Sequence, residues 1–186
     1  TNLIAAVRRN LGAMHKYVGL RKRLLGVDEL RFWDVYVPMV SDFEMKFTYE
    51  EACNLILRAR EPMGEDYLAI VRHGLESRWV DVYENPGKRS GAYSAGGFGM
   101  QPVILLNFQG TLDDVFTLVH EMGHSVHTYL SCSKQPARYS DYPIFVAEVA
   151  STCNEALLMH YMLEHAKSDA ERAYLLDHHL EQFKGT

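Results

Sequence analysis

The residues best placed to do chemistry are His120-Glu121-Met122-Gly123-His124. Histidines at i and i+4 stand one above the other on a single helix face, so two imidazoles can share one zinc ion. The glutamate between them sits where it can accept a proton from water activated by that ion. Leu112, Val115, Phe116, Val119, Met122 and Val126 recur around the motif at helical spacing, which predicts a half-buried helix. Two histidines and a carboxylate on such a helix are costly without a cation or hydrogen-bond partners.

A catalytic zinc site takes three protein ligands and leaves a fourth position open. His127 follows too closely on the same helix to complete the set. Leu130 stands where a metzincin needs its third histidine, which excludes that class. The candidates downstream are Asp141, Glu148 and Glu155. Asp141 lies in a polar, proline-bounded stretch over 131–143. Glu148 and Glu155 are seven residues apart and, with Ser151 and Thr152, interrupt an otherwise apolar run over 144–159. An acidic stripe on a helix that would otherwise be buried needs a cation or donors opposite it.

The elements that must hold these residues are legible in outline. Thr111 is a good N-cap, and Asp113-Asp114 fall in the first turn, where carboxylates complement the helix dipole. A further helix is predicted from Ile144 to about Ala166, and a closing one over 170–183. Before the motif, 79–83 (WVDVY) and 103–108 (VILLNF) read as strands, with the glycine-rich 90–99 as a strand or loop beside them. Upstream, 1–25 reads as an amphipathic helix on Leu3, Ile4, Val7, Leu11, Met14, Val18 and Leu25. Its Arg8, Arg9, Lys16, Arg21, Lys22 and Arg23 are expected to form a solvated face. Trp33–Val40 is expected to be extended. Thr48 with Glu51 makes a capping box for a helix to about Arg60, and another helix covers roughly 63–76. The fold class is thus mainly α with a small β-sheet (α+β): helical 1–76, a sheet over about 79–108, metal-site helices over about 111–166, and the closing helix.

Composition sets the bounds. The 186 residues are 47% hydrophobic and 23% charged, which excludes disorder. With Lys+Arg 19 against Asp+Glu 24 and a net charge of −5, nothing suggests a nucleic-acid partner. No long apolar run suggests a membrane span, and the glycines lack a phosphate-cradle arrangement. Cys53, Cys132 and Cys153 have no CxxC neighbour. They read as buried thiols in a reducing, cytoplasmic setting. His178-His179 are expected at the surface, and His160 and His165, five apart, do not share a face. Tyr139 and Tyr142 either line a cleft or pack the loop.

Taken together, VHEMGH (119–124), FVAEVASTCNEALL (145–158), ENPGKRSGAYS (84–94), QPVILLNFQGTLDDVF (101–116) and YSDYPIFVAEVAST (139–152) resemble the oligoendopeptidase F branch of the thimet-oligopeptidase-like zinc peptidases. The resemblance implies a zincin-like catalytic core with one Zn²⁺, in which His120, His124 and Glu148 are ligands and Glu121 is the general base. It implies that Glu155 orients a ligand histidine, and that oligopeptides are the substrates. Gly91, Ala92 and Tyr93 would then lie where an extended peptide adds as a strand, with Tyr139 and Tyr142 as further substrate-binding candidates. Members of this family are several times longer, so the chain resembles a truncated core. It is expected to bind zinc, to lack the downstream oxyanion-stabilising residues, to turn peptides over weakly or not at all without the missing N- and C-terminal parts, and to self-associate through uncovered apolar surface. The competing reading is a metal-stabilised peptide-binding module without turnover. A purely structural zinc site is disfavoured, because such sites usually have four protein ligands.

Overall fold

The computed structural model describes residues 2–40 and 43–185; Thr1, part of the first expected helix, lies outside them. The chain divides into two compact units, residues 45–165 and residues 1–44 with 166–186. Both are dominated by helix, and the sheet found among the described residues has three strands.

The 45–165 unit begins with the expected capping box. Thr48 Oγ1 accepts from the Glu51 amide at 3.1 Å, and Glu51 Oε2 accepts from the Thr48 amide at 2.8 Å. This starts helix α2 (Tyr49–Ala59), which buries Ala52, Ile56 and Ala59. A short 3-10 turn carries Pro62 and leads into α3 (Glu65–Glu76), with Leu68, Val71 and Gly74 inward. Gly74 is required by packing: a Cβ there would lie 2.6 Å from the Trp79 ring. The strands are shorter than the sequence predicts, with β1 at Val80–Asp81, β2 at Tyr93–Ala95 and β3 at Val103–Leu105. β3 is central, parallel to β1 and antiparallel to β2, so β2 is an edge.

Helix α4 (Leu112–Lys134) follows from a second capping box, in which Thr111 Oγ1 accepts from the Asp114 amide and Asp114 caps the Thr111 amide in return. It continues through 131–134, which the sequence assigned to a loop. Serine, cysteine and lysine do not break a helix, and Pro136 is the first residue that does. Its buried face includes Leu112, Val115, Phe116, Leu118, Val119, Met122 and Val126. Helix α5 (Ile144–Glu164) packs directly on α4. Gly123 sets their separation, since a Cβ on it would stand 2.9 Å from Ser151 Cα and 3.0 Å from the Ala150 carbonyl oxygen. Arg60, wholly buried at the end of α2, ties α5 in place: Nε donates to Asn154 Oδ1 and one terminal nitrogen to the Asn154 carbonyl, each at 2.7 Å. Burial brings that guanidinium down to about 10.

The other unit contains α1 (Asn2–Leu25) and α6 (Asp169–Gly185). Here several expectations are corrected. The first half of the apolar stripe of α1 is outside: Leu3, Ile4, Val7 and Leu11 are exposed, whereas Met14, Val18 and Leu25 are half-buried. Its supposedly solvated face includes Arg21, which is 1% exposed. Arg21 donates to Glu181 Oε1 at 2.5 Å, to the Tyr17 hydroxyl at 3.0 Å and to the Asp34 and Val37 carbonyls. A guanidinium can be buried where its whole donor fork is met. Trp33–Val40 is not extended; Phe32–Tyr36 form a 3-10 turn, with Asp34 Oδ2 capping the Arg31 amide at 2.7 Å. His178 and His179 are half-buried rather than at the surface. In the first unit the thiols are also corrected: Cys153 is exposed, and Cys53 and Cys132 are only half-buried. Among the described residues no helix is long and apolar enough to cross a membrane.

Candidate metal centre

Helix α4 presents His120 and His124 on one side, one turn apart, and α5 brings Glu148 and Glu155 opposite them. The close approach at Gly123 makes this possible, because it lies between the two histidines and removes the side chain that would wedge the helices apart. His120 Nε2 and His124 Nε2 are 3.0 Å apart. Glu148 Oε2 lies 3.4 Å from the first and 3.6 Å from the second. Among the described residues, His120, His124 and Glu148 are the group whose donor atoms all fall within 4.8 Å of one another.

Two of the three donors are held from behind by neighbouring side chains. The Nδ1 of His120 is hydrogen-bonded to Glu155 Oε1, which aims the opposite nitrogen at the centre. Ser151, fully buried, donates to Glu148 Oε2 at 2.9 Å and to the Glu148 carbonyl at 3.1 Å. Thr152 donates to the same carbonyl at 2.6 Å. Ser151 was visible in the sequence only as part of the acidic stripe; its hold on the carboxylate depends on a rotamer that spacing does not fix.

The electrostatics follow from crowding. Burial alone lowers the His120 imidazole, but the bond and charge of Glu155, with Glu121 and Glu148 beyond, outweigh it and raise the net value. Burial and the neighbouring His120 lower His124. Glu121 is 8% exposed. Burial pushes its carboxyl up, His120 and the Ser94 backbone amide draw it back, and Glu148 and Glu155 push it further.

The donor set fits a small tetrahedral cation. Zinc–ligand bonds of about 2.0–2.2 Å at the tetrahedral angle separate ligand atoms by about 3.3–3.5 Å, and the three pairs here span 3.0 to 3.6 Å. Three lone-pair donors facing one point repel unless a cation or proton lies between them. Two imidazoles with one carboxylate match borderline-soft Zn²⁺ better than Ca²⁺ or Mg²⁺, which take oxygen ligands.

The remaining candidates fall elsewhere. Asp141 turns away: its Oδ1 accepts from the Tyr142 amide at 2.8 Å, and it is outside the convergent group. His127 also stands apart, stacked on the Tyr142 ring with centroids 3.8 Å apart. Tyr142 packs the loop against α4, its hydroxyl 2.5 Å from Thr128 Oγ1, whereas Tyr139 is exposed. Gly91 and Ala92 line a cleft of about 260 Å³ with Asn107, Asp114 and Thr117. Asn107 Nδ2 fixes that turn by donating to the Arg89 and Gly91 carbonyls at 2.9 and 2.8 Å. Gly91 has φ +84°, a conformation glycine supplies without strain. Tyr93 starts the edge strand. His160 pairs with Glu164 at 3.2 Å, and His165 stacks on Tyr161; neither approaches the centre.

The chain is 51% identical over 185 residues to oligopeptidase PepF of Bacillus subtilis, covering 100% of the chain and 28% of that protein. It is 46% identical over 184 residues to the oligoendopeptidase F homolog of Lactococcus lactis, covering 99% and 30%. A solved structure from Chlamydophila abortus matches with a TM-score of 0.87 at 43% identity, over 98% of this chain and 30% of that one. The oligoendopeptidase-F structure from Enterococcus faecium matches with a TM-score of 0.61 at 36% identity, over 99% and 24%. The chain therefore spans less than a third of the length of these relatives. The model of Peptidase family M3 matches residues 1–186 throughout, and the chain belongs to that family.

Proposed function

We propose that this chain carries the zinc-binding and proton-transferring part of an oligopeptidase that cleaves internal bonds of short peptides. The observation that carries the reading is the convergence of His120 Nε2, His124 Nε2 and Glu148 Oε2 from two helices. The names of the relatives, oligopeptidase and oligoendopeptidase F, support the substrate class.

In this reading His120, His124 and Glu148 hold one Zn²⁺, and Glu155 fixes the His120 ring. A bound zinc ion supplies Lewis-acid polarisation and acidification of water. Glu121, beside the donor set and largely shielded from solvent, takes the proton from the attacking water on a carboxylate oxygen. It then passes that proton to the nitrogen of the leaving amine. Its burial suits the first of these steps, since a carboxylate in a dry environment accepts a proton more readily than one in water.

The peptide lies along β2. That strand has one side paired to β3 and the other at the sheet's edge, where an extended chain can add through main-chain hydrogen bonds. Gly91 and Ala92 lead into the edge and Tyr93 opens it. Tyr139 is the exposed loop tyrosine that can meet a peptide, with the Arg138 guanidinium over one face of its ring at 4.9 Å from the centroid, whereas Tyr142 serves the loop. The reading includes a reducing, cytoplasmic setting, which suits three unbridged thiols. It also includes self-association of the isolated chain through exposed Leu3, Ile4 and Val7, and dependence of full activity on the rest of the polypeptide.

The test is turnover of an internally quenched peptide by the whole protein containing this chain. Glu121→Gln keeps the shape and removes the base, and should lower kcat by about 10²–10⁴ with zinc content retained. Unaltered turnover would refute the general-base role, and peptide binding without turnover in the unsubstituted protein would favour a binding module instead.

A further inference from the structure

Ser94 lies in the middle of β2, paired with Ile104 of β3, and its side chain meets α4. Its Oγ is 2.8 Å from the Oγ of Ser125, a residue with no exposed surface one helical turn after Glu121. Two positions along, Gly96 also lies against α4: a Cβ there would stand 3.0 Å from Thr128 Cγ2 and 3.3 Å from Pro102 Cα. Glu121, Ser125 and Thr128 are four and three residues apart and share one face of the helix. The edge strand rests on that face.

Ser94 therefore fastens the edge strand, through its side chain, to the helix that carries the base. A hydroxyl pair does this differently from an apolar contact. Apolar surfaces tolerate sliding, whereas the buried Ser125 hydroxyl and the half-buried Ser94 hydroxyl each lose a partner if the strand shifts. A slip of one residue would turn Ser94 to the opposite face of the sheet. The pair thus fixes both the register and the distance between β2 and α4.

We propose that Ser94, fastened through Ser125, is a positioning residue that sets the Glu121 carboxylate against a peptide lying along β2. The proposal rests on the oligopeptidase reading above and adds to it the contact that couples peptide placement to the base. Neither serine contacts the reacting atoms. Their effect is exerted through Glu121 and the strand, and should appear in the chemical step more than in peptide affinity.

The experiment measures kcat, KM and zinc content for the whole protein containing this chain, with Ser94→Ala, Ser125→Ala, the double substitution and Ser94→Thr. Each single alanine should lower kcat on the order of tenfold, as displacement of a reacting group does, with KM within about twofold and zinc content unchanged. The double substitution should be no worse than the more damaging single one, because both remove the same bond. Ser94→Thr keeps a hydroxyl in a strand-compatible side chain and should retain most of kcat. An unchanged kcat in Ser94→Ala overturns the proposal, as does a fall matched by lost zinc or lost folded protein, or a rise in KM alone. Turnover that Glu121→Gln abolishes but Ser94→Ala leaves intact overturns only the positioning role. Absence of Glu121-dependent turnover in the unsubstituted protein overturns the oligopeptidase reading and this proposal with it.

Discussion

At the scale of single residues, the two glutamates of α5 do different work although they look alike in the sequence. Glu148 faces both Nε2 atoms, whereas Glu155 grips the far nitrogen of His120. Removing a ligand deletes a bond to the cation; removing an orienting carboxylate costs about 10–100-fold in metal affinity. Glu148→Ala should therefore lower zinc occupancy more than Glu155→Ala when both are titrated against a competing chelator, and the reverse order would exchange their roles. The histidine pair was legible because i, i+4 spacing fixes a shared face whatever surrounds the helix. Ser151, Ser94 and Arg21 were not. Their roles depend on partners that only the folded chain brings within reach, such as Glu181 for Arg21.

Among the elements, the seam between α4 and α5 decides whether a centre exists. It closes at Gly123, where even a methyl group would meet the backbone of Ser151. Gly123→Ala must push the helices apart, at a cost of about 1–3 kcal/mol for overpacking. Thermal denaturation should register this as a lower Tm, and zinc affinity should fall in the same protein although no ligand has changed. Arg60 braces the seam from the other side. Its bonds to Asn154 hold the turn of α5 from which Glu155 projects. Helix starts were legible at this scale because the capping boxes at Thr48 and Thr111 are local. Strand lengths were not. Apolar runs at 79–83 and 103–108 pair over only two and three residues, since the length of a ladder depends on the partner as well as on the run. Trp33–Val40 failed for a related reason: β-branched and aromatic residues favour a pleated surface, and with no strand beside them among the described residues the Asp34 cap and a 3-10 turn prevail.

For the molecule as a whole, the centre is built from donors on two helices, so a bound cation and the folded state favour each other. Zinc at about a thousand times its dissociation constant would add about 4 kcal/mol to stability. Thermal unfolding should accordingly move to higher temperature with zinc and fall back on chelation, and Glu148→Ala should remove most of that difference. An equal Tm with and without zinc would count against a shared two-helix site. The stretch joining the donor helices, 135–143, has Arg138 and Tyr139 exposed on a 3-10 turn. It acts as a tether. While it is intact, Glu148 meets the histidines at an effective concentration set by a short linker, on the order of millimolar. A protease cut after Arg138 would change none of the donors and none of the seam, yet it would make the pairing of α4 with α5 depend on packing alone. The metal would then be released whenever the helices part, and the exposed turn becomes the place where a single hydrolysed bond can turn a lasting chelate into a transient one.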